Sequence, residues 1–197
     1  MNMHDIEPFY KWRDSYVAAE DDRSPFFGQK YNEFVYSNKI YNYFIHPQWD
    51  MFGSATLYAK ILLADYDENY VIIELIGEWN DCLTNDIMHL KRNVIDVLIG
   101  QGVFKFVLIC ENVLNFHGSD ECYYEEWLED VIEENGWVAM VNMLDHVEIE
   151  MRNTQINNYV QMGGFFQDLN WRMLKPHTLV RQIDELCGTT IRTLRSQ

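Results

Sequence analysis

The alternation of apolar and polar positions changes character at Thr56. Downstream, "TLYAKILLADYDENYVIIELIGEW" reads as two β-rich runs around Asp67-Glu68-Asn69, which predicts a hairpin. The second run, Tyr70 to Ile76, is almost continuously apolar, the pattern of a strand covered on both faces. In "NDCLTNDIMHLKRNVIDVLIGQG", Leu83, Ile87, Leu90, Val94 and Leu98 recur at helical spacing, which predicts a helix capped by Asn80 or Asp81 and ended by Gly100 or Gly102. "FKFVLICENV" is then a buried strand, "SDECYYEEWLEDVIEENG" a helix closed by Gly136, and "WVAMVNML" another buried strand. "HVEIEMRNTQINNYVQMGG" reads as a helix stopped by Gly163-Gly164, and "HTLVRQIDELCG" as a last helix after Pro176. Strands alternating with helices predict an α/β fold with a mainly parallel central sheet and crossover helices.

Residues 1–50 follow a different pattern. They hold 13 of the 29 aromatic residues, without a long helical period. Rings bury large apolar areas, so this stretch is expected to pack on the rest of the chain or on a second copy. "NEFVYSN" and "IYNYFIH" read as short strands, and Pro25 to Gly28 and His46-Pro47 as turns. The expected organisation is an aromatic-rich N-terminal extension over 1–55, an α/β core over 56–170, and a C-terminal helix with a basic tail over 171–197.

A chain of 197 residues that is 48% hydrophobic suffices for one well-packed domain. It contains no apolar run of membrane-spanning length, and "MNMHDIEPFYKWRD" lacks the basic start and apolar stretch of a secretory signal. Cys82, Cys110, Cys122 and Cys187 form no close pair, so reduced thiols and a cytoplasmic location are expected, without a zinc site. The net charge of -16 argues against nucleic acid and against anionic membrane surfaces, both of which draw on Lys and Arg. Between Lys105 and Arg152 there is no Lys or Arg, yet 12 of the 31 acids fall there. Such a face either keeps the protein soluble or meets a basic partner.

Candidate chemistry concentrates in "ENVLNFHGSDECYYEEWLEDV", residues 111–131. Ser119 is placed to cap the following helix, with Asp120 and Glu121 in the first turn where the helix dipole favours negative charge. The same serine is a candidate phosphate acceptor, although the two acids would repel the phosphate and no cation is near in sequence. His117, Asp120, Glu121 and Cys122 lack the converging geometry of a metal site, and no metal is expected. Cys122 reads as a buried structural thiol in preference to a nucleophile. His117, Asp120, Glu121, Tyr124 and Trp127 are the candidate partner-contacting residues. A second polar-aromatic patch, "FIHPQWDMFGS", offers His46, Trp49 and Asp50, which with Glu78 could line a pocket against the core.

Three stretches within residues 70–170 resemble the STAS family, the domain of bacterial anti-sigma factor antagonists and of sulfate transporter tails. "VIIELIGEWND" is similar to that family's second strand, "FKFVLICENVLNFHGSDE" to its third strand, loop and helix start, and "INNYVQMGGFFQDLNW" to its last-but-one helix, glycine turn and short strand. The resemblance implies a STAS-like sheet and places the family's phosphorylatable hydroxyl at Ser119. This chain carries His117-Gly118-Ser119-Asp120 where the family carries Asp-Ser-Ser/Thr-Gly. The leading reading is a non-enzymatic cytoplasmic regulatory module that binds a protein partner, with no cofactor. Two alternatives stay open: an enzyme or small-ligand binder with a pocket under the N-terminal extension, and a structural homodimer joined through the aromatic segment.

Overall fold

The computed structural model describes residues 6–32 and 34–195, with side chains as far as Gly188. The side chains of the basic tail beyond Gly188 and the first five residues lie outside that description. Four long strands form the central sheet in the order β3-β4-β5-β6: β3 (Leu57–Asp65), β4 (Tyr70–Asn80), β5 (Lys105–His117) and β6 (Trp137–Val141). β3 and β4 are the expected antiparallel hairpin, while β4–β5 and β5–β6 pair in parallel. The tight turn between β3 and β4 is made by Asp65, whose carboxylate accepts the amides of Asp67 and Glu68, and by Asn69 at φ 60.

Both sheet faces are covered, as the apolar run of β4 requires. On one face Val71, Ile73 and Leu75 of β4 and Phe106, Leu108 and Cys110 of β5 pack under three helical segments. The first of these is α1 (Asp86–Leu90), continued by a π turn (Lys91–Ile95) and α2 (Asp96–Ile99). α3 (Cys122–Ile132) and α4 (Asp145–Asn153) complete that layer. On the opposite face Tyr70, Ile72, Val107 and Ile109 pack against Trp12, Trp171 and α5 (Pro176–Arg195). Period-two alternation along β4 and β5 thus sorts successive side chains into two cores.

The helical boundaries differ from the sequence expectation for local reasons. The first helix starts at Asp86, so Leu83 is 84% exposed and takes no part in its apolar face. α4 ends at Asn153, because Gln155 turns left-handed at φ 62 and residues 160–162 run along the edge of β6. There Gln161 accepts the Met140 amide and donates to the Val138 carbonyl. α3 ends at Ile132, and Gly136 lies where an added Cβ would stand 2.1 Å from the Phe104 carbonyl oxygen.

The N-terminal segment packs on the sheet through the chain's own residues, with Trp12, Phe26, Trp49 and Phe52 all buried. These rings are covered within one chain, whereas Tyr10, Phe27, Phe34 and Tyr41 of the same segment stand in solvent. Of the two short strands expected there, "IYNYFIH" is not one strand but the greater part of a small hairpin, β1 (Lys39–Ile40) with β2 (Tyr43–Phe44). The described part of "NEFVYSN" is not strand, and Phe34 is 90% exposed. Asp50 and Ala59 exchange backbone hydrogen bonds of 2.8 and 3.0 Å, which ties the segment to the outer edge of β3.

Candidate functional site

The C-terminal ends of β4 and β5 lie side by side, with Asn80 opposite His117, and the chain leaves both strands there. Gly77 makes this end possible. Its φ of +128 and the Thr56 carbonyl oxygen 2.0 Å from an added Cβ admit no side chain. Register irregularities on either side of Gly77 then aim Glu78 at the neighbouring strand. His117 Nε2 lies 3.1 Å from Glu78 Oε1, joining two residues that the sequence assigned to different sites. The Tyr41 hydroxyl also bonds Glu78, and burial followed by this carboxylate raises the phenol's pKa.

Behind this exposed pair sits a buried acidic scaffold. Asp81 accepts hydrogen bonds from Trp79 Nε1 at 2.9 Å, the Ile87 amide at 2.9 Å and the Tyr124 hydroxyl at 2.7 Å. Asp86, fully buried, accepts the Asn80 amide at 2.8 Å. Desolvation pushes Asp81 up to about 6, against the lowering effect of its three donors. Every donor comes from the fold itself, so the pair fixes the loop and presents no reactive carboxylate to solvent. The His117 carbonyl receives both the Asp81 and Cys82 amides, and Cys82 Sγ rests on the Gly118 carbonyl. Residues 81–84 and 117–120 therefore form one surface.

On that surface Ser119 is not a helix cap. α3 begins at Cys122, and the amide of Cys122 is taken at 2.9 Å by Asp120, leaving the Ser119 side chain exposed. Ser119 stands three residues before the helix, and the carboxylate of Asp120, one residue nearer, takes its first amide. Tyr124 and Trp127 are core residues, not contact residues. Tyr124 stacks on Trp79 at 6.3 Å and Trp127 packs edge-on to Phe106 at 5.2 Å, both out of solvent. Cys122 is exposed instead of buried, and burial of its sulfur followed by Asp120 raises its pKa, which disfavours a thiolate nucleophile. His117, Asp120 and Glu121 remain at the surface with Ser119, joined by Leu83 and by Leu114 of β5. Leu114, Tyr41 and Tyr43 line a small apolar cleft of ≈ 90 Å³ over Ile76.

The second candidate group is dispersed. His46 is buried with Nε2 3.4 Å from Glu7, and the Trp49 indole donates to the Ile6 carbonyl at 2.8 Å. Both pin the N-terminal segment. Asp50 is buried and accepts from the Tyr31 hydroxyl at 2.5 Å and Lys60 Nζ at 3.0 Å, and burial raises its pKa despite these donors. Glu78 belongs to the other site. A cleft between the N-terminal segment and β3 does exist, with ≈ 280 Å³ of space, and Lys60 and Tyr31 form part of its wall.

Sequence reasoning also missed a polar seam between the two apolar clusters on this face. Lys60 of β3 stands opposite Glu74 of β4. Glu74 accepts the Phe9 amide at 2.8 Å and lies 3.9 Å from Arg172, which bonds Glu111 of β5 at 2.5 Å. Glu111 takes the Trp171 indole as well, also at 2.5 Å. Burial lifts Glu74 to about 7; the Phe9 amide and Arg172 oppose that rise, and Glu111 adds to it. The signal was present: a charge inside "LYAKILL" and another inside "VIIELI", each interrupting a buried strand.

Among the described residues the oxygens of Asp96, Glu126 and Asp130 converge, but Lys91 Nζ fills the space between them, 2.7 Å from Asp130 and 3.5 Å from Glu126. Arg92 completes the charge balance through Glu126 at 2.6 Å. No helix of the described residues is long and apolar enough to cross a membrane.

Comparison with protein-family models finds no match, and comparison with curated proteins finds none either. Among solved structures the chain is similar to a Thermotoga maritima protein that carries the provisional description anti-sigma factor antagonist. The TM-score is 0.39 at 18% identity, over 52% of this chain and 81% of that one.

Proposed function

We propose that this chain is a non-enzymatic interaction module that engages a protein partner through the surface at the C-terminal ends of β4 and β5. The observation that carries the reading is the exposure, at this end of the sheet, of Leu83 and of Leu114 and Tyr41, which share one cleft, together with Glu78 of β4 and Asp120 and Glu121 after β5, beside the Asp81 and Asp86 scaffold. Apolar side chains standing in water on a rigid acidic frame suit a partner segment that brings an apolar anchor flanked by Lys or Arg. The absence of Lys and Arg between Lys105 and Arg152 leaves Asp120 and Glu121 without a Lys or Arg close in sequence.

Control through Ser119 is the finer part of the proposal. Its exposed hydroxyl is supported as a modification point by its position between His117 and Asp120 on the same surface. Phosphate there would face Asp120 and Glu121, so it would be stabilised only by cations that the partner supplies. Modification would therefore strengthen binding of a basic partner and do little to the isolated chain.

A photo-crosslinking amino acid placed at Leu83 or Leu114 in the native host tests the reading, with Met173, exposed near the opposite end of the strands, as control. A discrete adduct from Leu83 and Leu114, absent at Met173 and lost in the Asp120→Lys/Glu121→Lys variant, is expected. The same adducts from all three positions would sink the proposal. Intact-mass analysis of the Ser119 peptide from the captured complex reads the phosphate directly.

A further inference from the structure

The cleft between the N-terminal segment and β3 is chemically unlike the rest of the molecule. Two cations border it, Arg13 and Lys60, in a chain whose net charge is -16. Lys60 Nζ gives one hydrogen bond to Asp50 at 3.0 Å and lies 3.9 Å from the centre of the Tyr31 ring. An ammonium carries three donors, so capacity remains on the cleft side. Arg13 donates to Gln48 Oε1 and, among the described residues, has no carboxylate within ion-pair distance. Glu74, the cross-strand neighbour of Lys60, is turned to the Phe9 amide and Arg172 instead. Lys60 is paired with Asp50, and Asp21 stands behind the hydroxyl of Tyr16, another wall residue, so Arg13 is the cation at the wall whose positive charge is left in excess. The rest of the wall mixes apolar side chains, Phe9, Val17 and Leu62 among them, with the polar Tyr16, Tyr31 and Gln48.

We propose that this cleft binds a small carboxylic acid, its carboxylate held between Arg13 and Lys60 and its apolar body laid against Phe9, Val17 and Leu62. Charge balance selects a monoanion. A phosphate dianion would overshoot the local excess and stand close to Asp50, whereas a carboxylate neutralises it and matches the planar donor fork of arginine. The ≈ 280 Å³ of space accommodates a body of hexyl or phenylpropyl size. Burial lowers the pKa of Lys60 against the raising effect of Asp50, and Arg13 lowers it further; an arriving anion would act in the same direction as Asp50. The site lies apart from the Leu83 and Ser119 surface, and neither depends on the other.

Isothermal titration calorimetry of the full chain with hexanoate, 3-phenylpropanoate, hexan-1-ol and hexylamine tests the site. A ligand of this size in a preformed cleft is expected to bind with a dissociation constant on the order of 1 mM. Both carboxylates should bind at one site, the alcohol at least about tenfold more weakly, and the amine not at all. Lys60→Met strips the buried Asp50 of its partner and endangers the fold. The informative variant is therefore Arg13→Gln, at an exposed position, which should weaken both carboxylates about tenfold and leave the alcohol unchanged. Equal binding of hexanoate and hexan-1-ol would overturn the proposal. So would carboxylate binding indifferent to Arg13→Gln, or no heat from either carboxylate at about ten times the expected constant.

Discussion

Replacing Glu74 by glutamine isolates the energetic cost of the polar seam. The carboxyl is 1% exposed, and burial raises it from the ordinary 4.5 to about 7. In the folded chain it therefore holds a proton that the unfolded chain has already released across the window from about pH 4.5 to about pH 7. Stability attributable to this group falls as pH rises through that window and levels off above it. Each pKa unit is worth roughly 1.4 kcal/mol, so the full penalty above both values is about 3 kcal/mol. About 2 kcal/mol of it accrues between roughly pH 5.5 and 8.5, a range clear of the acidic isoelectric region. Glutamine keeps an acceptor for the Phe9 amide at 2.8 Å and carries no charge to desolvate. Urea unfolding of Glu74→Gln beside the parent at several pH values should show the variant gaining about 2 kcal/mol relative to the parent from low to high pH, with unchanged slope against denaturant. Asp81, also raised, titrates equally in both proteins and cancels. A difference that is flat with pH would mean that Glu74 is ionised throughout and held by Arg172, and a difference of opposite sign would refute the burial reasoning outright.

Lys91→Ala should lower stability by about 3 kcal/mol in the same assay, because it leaves Asp96 and Asp130 facing one another without the buried ammonium between them. Gly77→Ala should cost more than about 2 kcal/mol or prevent folding, since the Thr56 backbone, not a flexible side chain, meets the new methyl group; circular dichroism melting would read it. Asp81→Ala should cost about 3 kcal/mol by stranding the Trp79 indole, the Tyr124 hydroxyl and the Ile87 amide, and crosslinking from Leu83 should weaken with it as the loop loses its anchor.

The four long strands were legible in the sequence because their signal is local. Runs such as "VIIELI" and "FVLIC" state burial on two faces without reference to anything distant. The aromatic density of the N-terminal segment likewise announced packing. The register irregularities at Gly77, the π turn that swallows Lys91 and the left-handed Gln155 were not legible, since each depends on a neighbour brought from elsewhere in the chain. Site residues divided along the same line. Ser119, His117, Asp120 and Glu121 are at the surface, as a polar loop implies, but Tyr124 and Trp127 carry the same amphipathic labels and went inward. Only Asp81 and the apolar neighbours on β4 and β5 decide which way an α3 aromatic points. The charges at Lys60, Glu74 and Glu111 were visible as interruptions. Their convergence requires the strand order, which no periodicity supplies.

The main-chain bonds that tie residue 50 to β3 and residue 161 to β6 bear on how copies of this protein behave at high concentration. A sheet normally grows sideways, one molecule's outer strand lending its free amides and carbonyls to the next. Here both flanks are already occupied at mid-strand by non-strand stretches of the same polypeptide. A second molecule would have to strip two backbone hydrogen bonds from either flank before it could add a strand. Fibril-like stacking is thereby discouraged in a chain whose strands are otherwise apolar enough to invite it.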